Sequence, residues 1–106
     1  MISYKEIYLH ILRKIQKKPE LSQRELAKEL GFSLGKLNYC LKELKKKGHI
    51  KIKSFKNNPK KTNYLYILTP KGISEKTKLT INFMRRKMNE YDQLKKEIEE
   101  QNEKKF

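Results

Sequence analysis

Few residues in this chain can break or make bonds. His10, His49 and Cys40 are the only candidates for soft metal ligation. They lack paired ligand spacing and would need a fourth ligand, so no metal site is expected. Cys40 lies at the border of a helix's apolar face, as a small core-edge residue. A redox role would need a depressed thiol pKa, to which a lysine-rich helix can contribute. No glycine-rich phosphate loop, nucleophile motif or carboxylate pair is present, so neither enzymatic activity nor a cofactor is expected. The remaining chemistry is recognition. Asn38 can bond adenine through both arms of its amide, and Lys36 and Lys42 can reach guanine or phosphate. Tyr39 can pack on a thymine methyl or bond a phosphate.

Charge points the same way. The 106 residues hold 27 Lys and Arg against 12 Asp and Glu, an imbalance that calls for a polyanionic partner. Residues 1–89 contain 23 basic and 6 acidic groups, a net of +17, whereas residues 90–106 contain 4 and 6, a net of −2. The body is cationic and the tail is a separate electrostatic unit. No apolar run is long enough for a membrane span, and the start Met1-Ile2-Ser3-Tyr4-Lys5-Glu6 does not read as a signal peptide. A lone cysteine fits a reducing compartment, so a cytoplasmic location is expected. The lysines are spread over helices, strands and a loop, unlike a basic membrane-surface helix.

These residues need elements to position them. Tyr4, Ile7, Tyr8, Ile11, Leu12 and Ile15 recur at three and four, which predicts an amphipathic helix ending before Pro19. Ser22 and Glu25 form a capping-box pattern at the start of a second helix. Leu26, Ala27 and Leu30 give that helix its apolar edge, and Gly31 ends it. Ser33 can cap a third helix with Leu34, Leu37, Leu41 and Leu44 as its buried stripe and Gly48 as its stop. Two short helices joined by a glycine turn, the second cationic, make a helix-turn-helix. Ile50, Ile52 and Phe55 alternate with Lys51, Lys53 and Lys56 as a half-buried strand. Asn57-Asn58-Pro59-Lys60-Lys61 is a basic turn, and Tyr64-Leu65-Tyr66-Ile67-Leu68 the return strand. Tyr64 and Tyr66 can face outward together and stack single-stranded bases, or cover the core or a neighbouring helix. Thr69-Pro70 opens a last helix running to about Glu100.

The expected fold is therefore mainly α with a small β-hairpin: a winged helix-turn-helix, residues 1–69, followed by a long helix, residues 70–106. The third helix, 33–47, would enter the major groove of duplex DNA. The basic wing, 56–62, would reach adjacent phosphates or the minor groove. On the third helix a 100° step puts Gly35, Lys36, Tyr39, Lys42 and Lys46 opposite the leucines, with Asn38 on the flank. Helix starts add phosphate attraction, through Ser22, Gln23 and Arg24 at one and Ser33 at the other. Lys56, Asn57, Asn58, Lys60 and Lys61 complete the expected DNA-binding set. A charged helix face is more often merely solvated; the capped helix before it and the basic hairpin after it favour DNA. A winged-helix protein adapter and an RNA or single-strand binder are the competing readings.

The runs Leu21-Ser22-Gln23-Arg24-Glu25-Leu26-Ala27-Lys28-Glu29-Leu30-Gly31, Leu34-Gly35-Lys36-Leu37-Asn38-Tyr39 and Leu68-Thr69-Pro70-Lys71-Gly72 resemble the MarR family of bacterial transcriptional regulators. Within it, the likeness is to the subgroup associated with exopolysaccharide gene clusters, and it covers about residues 5–95. The resemblance implies a homodimer on a pseudo-palindromic operator, with Asn38 and Tyr39 at positions that meet bases and residues 57–61 as the wing. Fuller-length members carry extra helices that dimerise and enclose a small-molecule pocket; this chain is shorter, which leaves an effector open.

The last helix has its own pattern. Ile81, Met84, Met88, Tyr91, position 95 and Ile98 follow a 3-4-3-4-3 spacing, the seam of a short coiled coil between two chains. Lys95 interrupts the seam and Leu94 beside it compensates in part. Leu79 and Phe83 lie on another side, available to the helix's own domain; the competing reading is one helix folded back over its own core.

Overall fold

The structure, a computed structural model, describes residues 3–54 and 64–104. Its elements are α1 (Tyr4–Lys17), α2 (Gln23–Leu30), α3 (Leu34–Lys46), β1 (Ile50–Ser54), β2 (Tyr64–Leu68) and α4 (Pro70–Lys104). This is the expected mainly helical winged helix-turn-helix with a long C-terminal helix.

Helix α1 is the central element. Ser3 caps it, its Oγ accepting from the Glu6 amide at 3.3 Å, and Ile7, Ile11, Leu12 and Ile15 are buried. Leu9, outside the expected stripe, is buried as well. It faces α4 beside Leu79 and Asn82, so α1 is covered on two sides. Such a helix needs more than one apolar stripe.

Both halves of the capping box form at α2: the Glu25 amide reaches Ser22 Oγ and the Ser22 amide reaches Glu25 Oε1, each at 3.2 Å. Gly31 ends α2 with φ 74° and Gly48 turns the chain after α3 with φ 78°, a region where a β-carbon would be strained. Glu29 accepts from Lys14 at 3.4 Å and Lys18 at 3.3 Å, tying the outer side of α2 to α1.

In α3 the buried residues are Leu37, Cys40, Leu41 and Leu44. Two expectations change here. Leu34 is 41% exposed, because as the first helical residue it projects beyond the packed surface. Cys40 is fully buried, not at the core edge; it lies between Leu37 and Leu44 on the inward face.

The hairpin is antiparallel, with Ile50 opposite Leu68 and Ile52 opposite Tyr66. Ile50 and Tyr66 are buried, whereas Ile52 is exposed because it lies nearer the tip, past the core. Burial of Tyr66 removes the outward tyrosine pair; its strand rests on α1, with the Tyr66 amide donating to Pro19 O at 3.4 Å. Phe55 lies outside the described residues.

Thr69 fastens α4 to the chain leaving α3. Its amide donates to His49 O at 3.0 Å, its hydroxyl donates to Gly48 O, and its Oγ1 accepts from the Gly72 amide at 3.0 Å. Leu79 is buried and Phe83 half-buried against the core, the Phe83 ring standing edge-on to His10 at 6.3 Å. These are the two residues expected to pack on the helix's own domain. Farther along, α4 leaves the body, and the molecule measures 70 × 26 × 21 Å. The helix reaches Lys104, beyond the expected stop near Glu100.

Candidate nucleic-acid interface

The outward face of α3 is built by its inward one. With Leu37, Cys40, Leu41 and Leu44 buried, helical geometry leaves Gly35, Tyr39, Lys42 and Lys46 pointing away from the core, and all four are exposed. Asn38 is half-buried on the flank, as expected. Lys36 is exposed but turned to the other side, its Nζ 4.9 Å from the centre of the Phe32 ring. Its charge therefore sits over the turn between α2 and α3.

Ser33 Oγ accepts from the Lys36 amide at 3.1 Å and fixes the start of α3. At the start of α2, Ser22 Oγ already accepts from Glu25, whose carboxylate lies over the same helix end. Glu25 offsets part of the positive potential there, so Gln23 and Arg24 are better placed than Ser22 to meet an anion. Arg24 is exposed, and Ser22 and Gln23 are half-buried. Lys56, Asn57, Asn58, Lys60 and Lys61 lie outside the described residues.

The DNA-binding set expected from sequence omits two features of this surface. Lys45, Lys47, Lys51 and Lys53 are all exposed and, with the expected Lys46 among them, carry positive charge from the end of α3 along β1. Their signal in the sequence is a lysine run, but helix-face reasoning stops where the helix does. The second feature is a tyrosine cluster. Tyr39 is 54% exposed and its ring stands edge-on to Tyr4 at 6.1 Å. Tyr4 in turn lies 6.0 Å from Tyr8, and Lys47 Nζ sits 5.1 Å from the Tyr8 ring centre. Edge-on packing of this kind restrains the Tyr39 ring without hiding it. Burial raises the Tyr8 hydroxyl pKa, helped by Cys40, Tyr39, Glu43 and Tyr4.

The side chains capable of metal or redox chemistry are placed elsewhere. Burial pushes the Cys40 thiol up and outweighs the opposite pull of Lys36, so this sulfur is a poor nucleophile. His49 is buried, and its Nδ1 has no hydrogen-bond partner among the described residues. Burial lowers its pKa; Glu75 acts the other way, and Lys71 and Lys47 lower it further. Among the described residues no three His, Cys, Asp or Glu side chains cluster as a metal site. No described helix is long and apolar enough to cross a membrane.

On α4, Ile81, Met84, Met88, Tyr91, Leu94 and Ile98 are between 46% and 65% exposed, whereas Leu79 is 8% exposed. The body thus takes one side of the helix and leaves the other apolar side uncovered.

Residues 5–51 match a family described as winged helix-turn-helix DNA-binding. No curated protein matches the sequence. The fold is shared with solved regulators. The Staphylococcus aureus MepR–DNA complex superposes with a TM-score of 0.69 at 22% identity, covering 88% of this chain and 64% of that one. Streptococcus pneumoniae FabT in complex with DNA gives 0.59 at 24% identity, covering 80% and 57%. The PcaV transcriptional regulator of Streptomyces coelicolor, in complex with its natural ligand, gives 0.64 at 19% identity, covering 74% and 55%. The chain thus spans between about half and two thirds of the length of these proteins.

Proposed function

We propose that this chain is a MarR-type, sequence-specific transcriptional regulator that acts on double-stranded DNA as a homodimer inside the cell. The observation that carries the reading is the outward face of α3. Tyr39, Lys42 and Lys46 project from a capped helix, with Asn38 on its flank, in a fold shared with regulators solved on DNA. A helix of this kind fits the major groove, and its amide, phenol and ammonium groups match what base edges and phosphates offer. The exposed lysines from Lys45 to Lys53 supply the salt-sensitive attraction.

Residues 1–69 form the DNA-binding unit in this reading, and the helix from Pro70 onward is the dimerisation element, its first turns bracing the unit through Leu79 and Phe83. A dimer calls for a pseudo-palindromic operator with half-sites about one turn of duplex apart. The runs at residues 21–31, 34–39 and 68–72 support the exopolysaccharide-associated subgroup within this type. Genome-wide footprinting tests that placement through the genes beside the occupied sites.

The deciding measurement is binding to a footprinted operator duplex, a scrambled duplex and a single strand across a salt series. A regulator prefers the operator by roughly 10³-fold or more at physiological salt. Equal affinity for both duplexes would reduce the protein to a non-specific binder. Preference for the single strand would move function to the hairpin, and no binding to any of the three would leave a protein adapter.

A further inference from the structure

We propose that two copies of α4 pair antiparallel about a two-fold axis passing between Asn89 and Glu90. This orientation rests on the homodimer reading above and adds to it the geometry of the partner, a second copy of this chain.

The uncovered side of α4 is continuous and lies opposite the body. Counting heptads from Ile81, the seam residues take the two core positions, whereas Gly72, Leu79 and Phe83 fall on the outer ones. One helix can therefore hold its own domain on one side and a second helix on the other. Beyond Phe83 the helix continues as far as Lys104 as a projection. Helical stability in proteins comes mostly from packing of an apolar face, and the exposed seam offers this projection such a face.

Direction follows from the seam and from charge. The spacing 3-4-3-4-3 reads the same in both directions, so reversing one helix keeps every layer filled. Ile81 then meets Ile98 of the partner subunit, Met88 meets Tyr91 of the partner subunit, and Lys95 meets Met84 of the partner subunit. Parallel pairing would instead set Lys95 against its own copy, two ammonium groups inside an apolar seam.

Along one edge of the seam stand Lys78, Arg85, Asp92 and Glu99, seven residues apart. Antiparallel helices place like edges together. Arg85 then faces Asp92 of the partner subunit and Lys78 faces Glu99 of the partner subunit, and symmetry repeats both pairs. Parallel pairing sets this edge against Thr80, Lys87, Leu94 and Gln101, where Lys87 with Asp92 is the one opposite-charge pair. It also stacks the basic segment Arg85-Arg86-Lys87 on its copy, and Glu97, Glu99 and Glu100 on theirs.

The arrangement has a functional consequence. Each body is attached to α4 over residues 72–83, so reversal places the two DNA-binding units at opposite ends of the pair. At about 1.5 Å rise per residue the attachment points are roughly 35 Å apart, which matches half-sites about one duplex turn, ~34–36 Å, apart. Parallel helices would hold both units side by side at one end.

Cross-linking through one introduced cysteine per chain tests this in the full chain, with the buried Cys40 left in place. Ile81→Cys and Ile98→Cys are prepared separately, mixed, allowed to exchange subunits and mildly oxidised, and sedimentation equilibrium gives the oligomeric state of each. The expected result is a disulfide between the two variants and none within either alone, since equivalent positions would be about 25 Å apart against a limit near 7 Å for the two α-carbons. Ile81→Cys cross-linking to itself would overturn the orientation while keeping the dimer. A dimer with no cross-link in any mixture would overturn both seam and orientation, and monomers at tens of micromolar would overturn the dimer itself. A charge exchange gives a second readout. Arg85→Glu should raise the dimer dissociation constant by several-fold, roughly the loss of two exposed ion pairs, and adding Asp92→Arg in the same chain should restore it. Failure to restore would count against the antiparallel edge.

Discussion

Gly72 approaches the backbone of His49 so closely that a β-carbon on it would overlap the His49 carbonyl oxygen and lie 2.8 Å from the carbonyl carbon. The first turn of α4 is thereby pressed onto the chain leaving α3, and Thr69 bonds to Gly48 and His49 at the same junction. The glycine serves approach and not flexibility. Gly72→Ala should therefore destabilise the fold by about 1–3 kcal/mol, more than the ~0.5–1 kcal/mol that alanine gains over glycine within a helix. Urea unfolding of both proteins measures it, and an unchanged or higher midpoint would mean that the junction gives way freely.

Gly35 is the contrasting case. A β-carbon there would meet nothing within 4 Å, so the fold itself does not require a glycine. Gly35→Ala should stabilise the isolated protein by up to about 1 kcal/mol. If the face of α3 closes on DNA, the same methyl should weaken duplex binding. Stability and affinity moving in opposite directions is the expected signature; a variant that is more stable and binds as well as before would place the DNA elsewhere.

The buried His49 makes stability depend on pH. Burial holds its pKa below the ordinary histidine value, so below about pH 6.5 the unfolded chain takes up a proton that the folded one resists. Stability contributed by the neutral ring is complete above that pH and falls as pH drops through the folded pKa. Denaturation midpoints between pH 7.5 and 5 should decline, and the decline should be shallower in His49→Gln. Parallel curves for the two proteins would assign the slope to other groups.

Much of this architecture is legible in the sequence because its signals are local. Ser22 with Glu25, Ser33, and the glycines at 31 and 48 each mark a helix end through a hydrogen bond or a dihedral that neighbouring residues determine. Leu79 and Phe83 separate from the seam by angle alone. What escapes depends on tertiary neighbours. Leu9 is buried because α4 crosses α1, and Tyr66 because its strand lies on α1. Leu34 is exposed because the first turn of α3 outruns its cover. The bracing of Tyr39 is invisible in its helix position, since Tyr4 is 35 residues away and its spacing places it on the apolar stripe of α1.

Base reading and charge attraction should separate by mutation. Asn38→Ala and Tyr39→Ala should each cost about 1–3 kcal/mol on the operator and much less on random duplex. Lys42→Gln with Lys46→Gln should weaken binding to every duplex and flatten the log–log salt dependence by roughly 1 unit for each phosphate left unneutralised. Equal losses on both duplexes for Asn38 and Tyr39 would show that they serve only the backbone.

Truncation tests the whole arrangement at once. In the antiparallel pair every seam layer takes one residue from 81–88 of one chain and one from 91–98 of the other. Deleting residues 90–106 therefore removes half of each layer, leaving Ile81, Met84 and Met88 with nothing opposite them. The residues that hold α4 to its own body, through Leu79 and Phe83, remain. The truncated chain should fold, with helical circular dichroism reduced by the deleted segment, and should sediment as a monomer. Without a tether the second half-site loses its high effective concentration, so affinity for a full operator should fall by roughly 10²–10⁴-fold. Binding to a single half-site should change little. A truncated protein that remains dimeric at tens of micromolar would show that the copies associate through another surface.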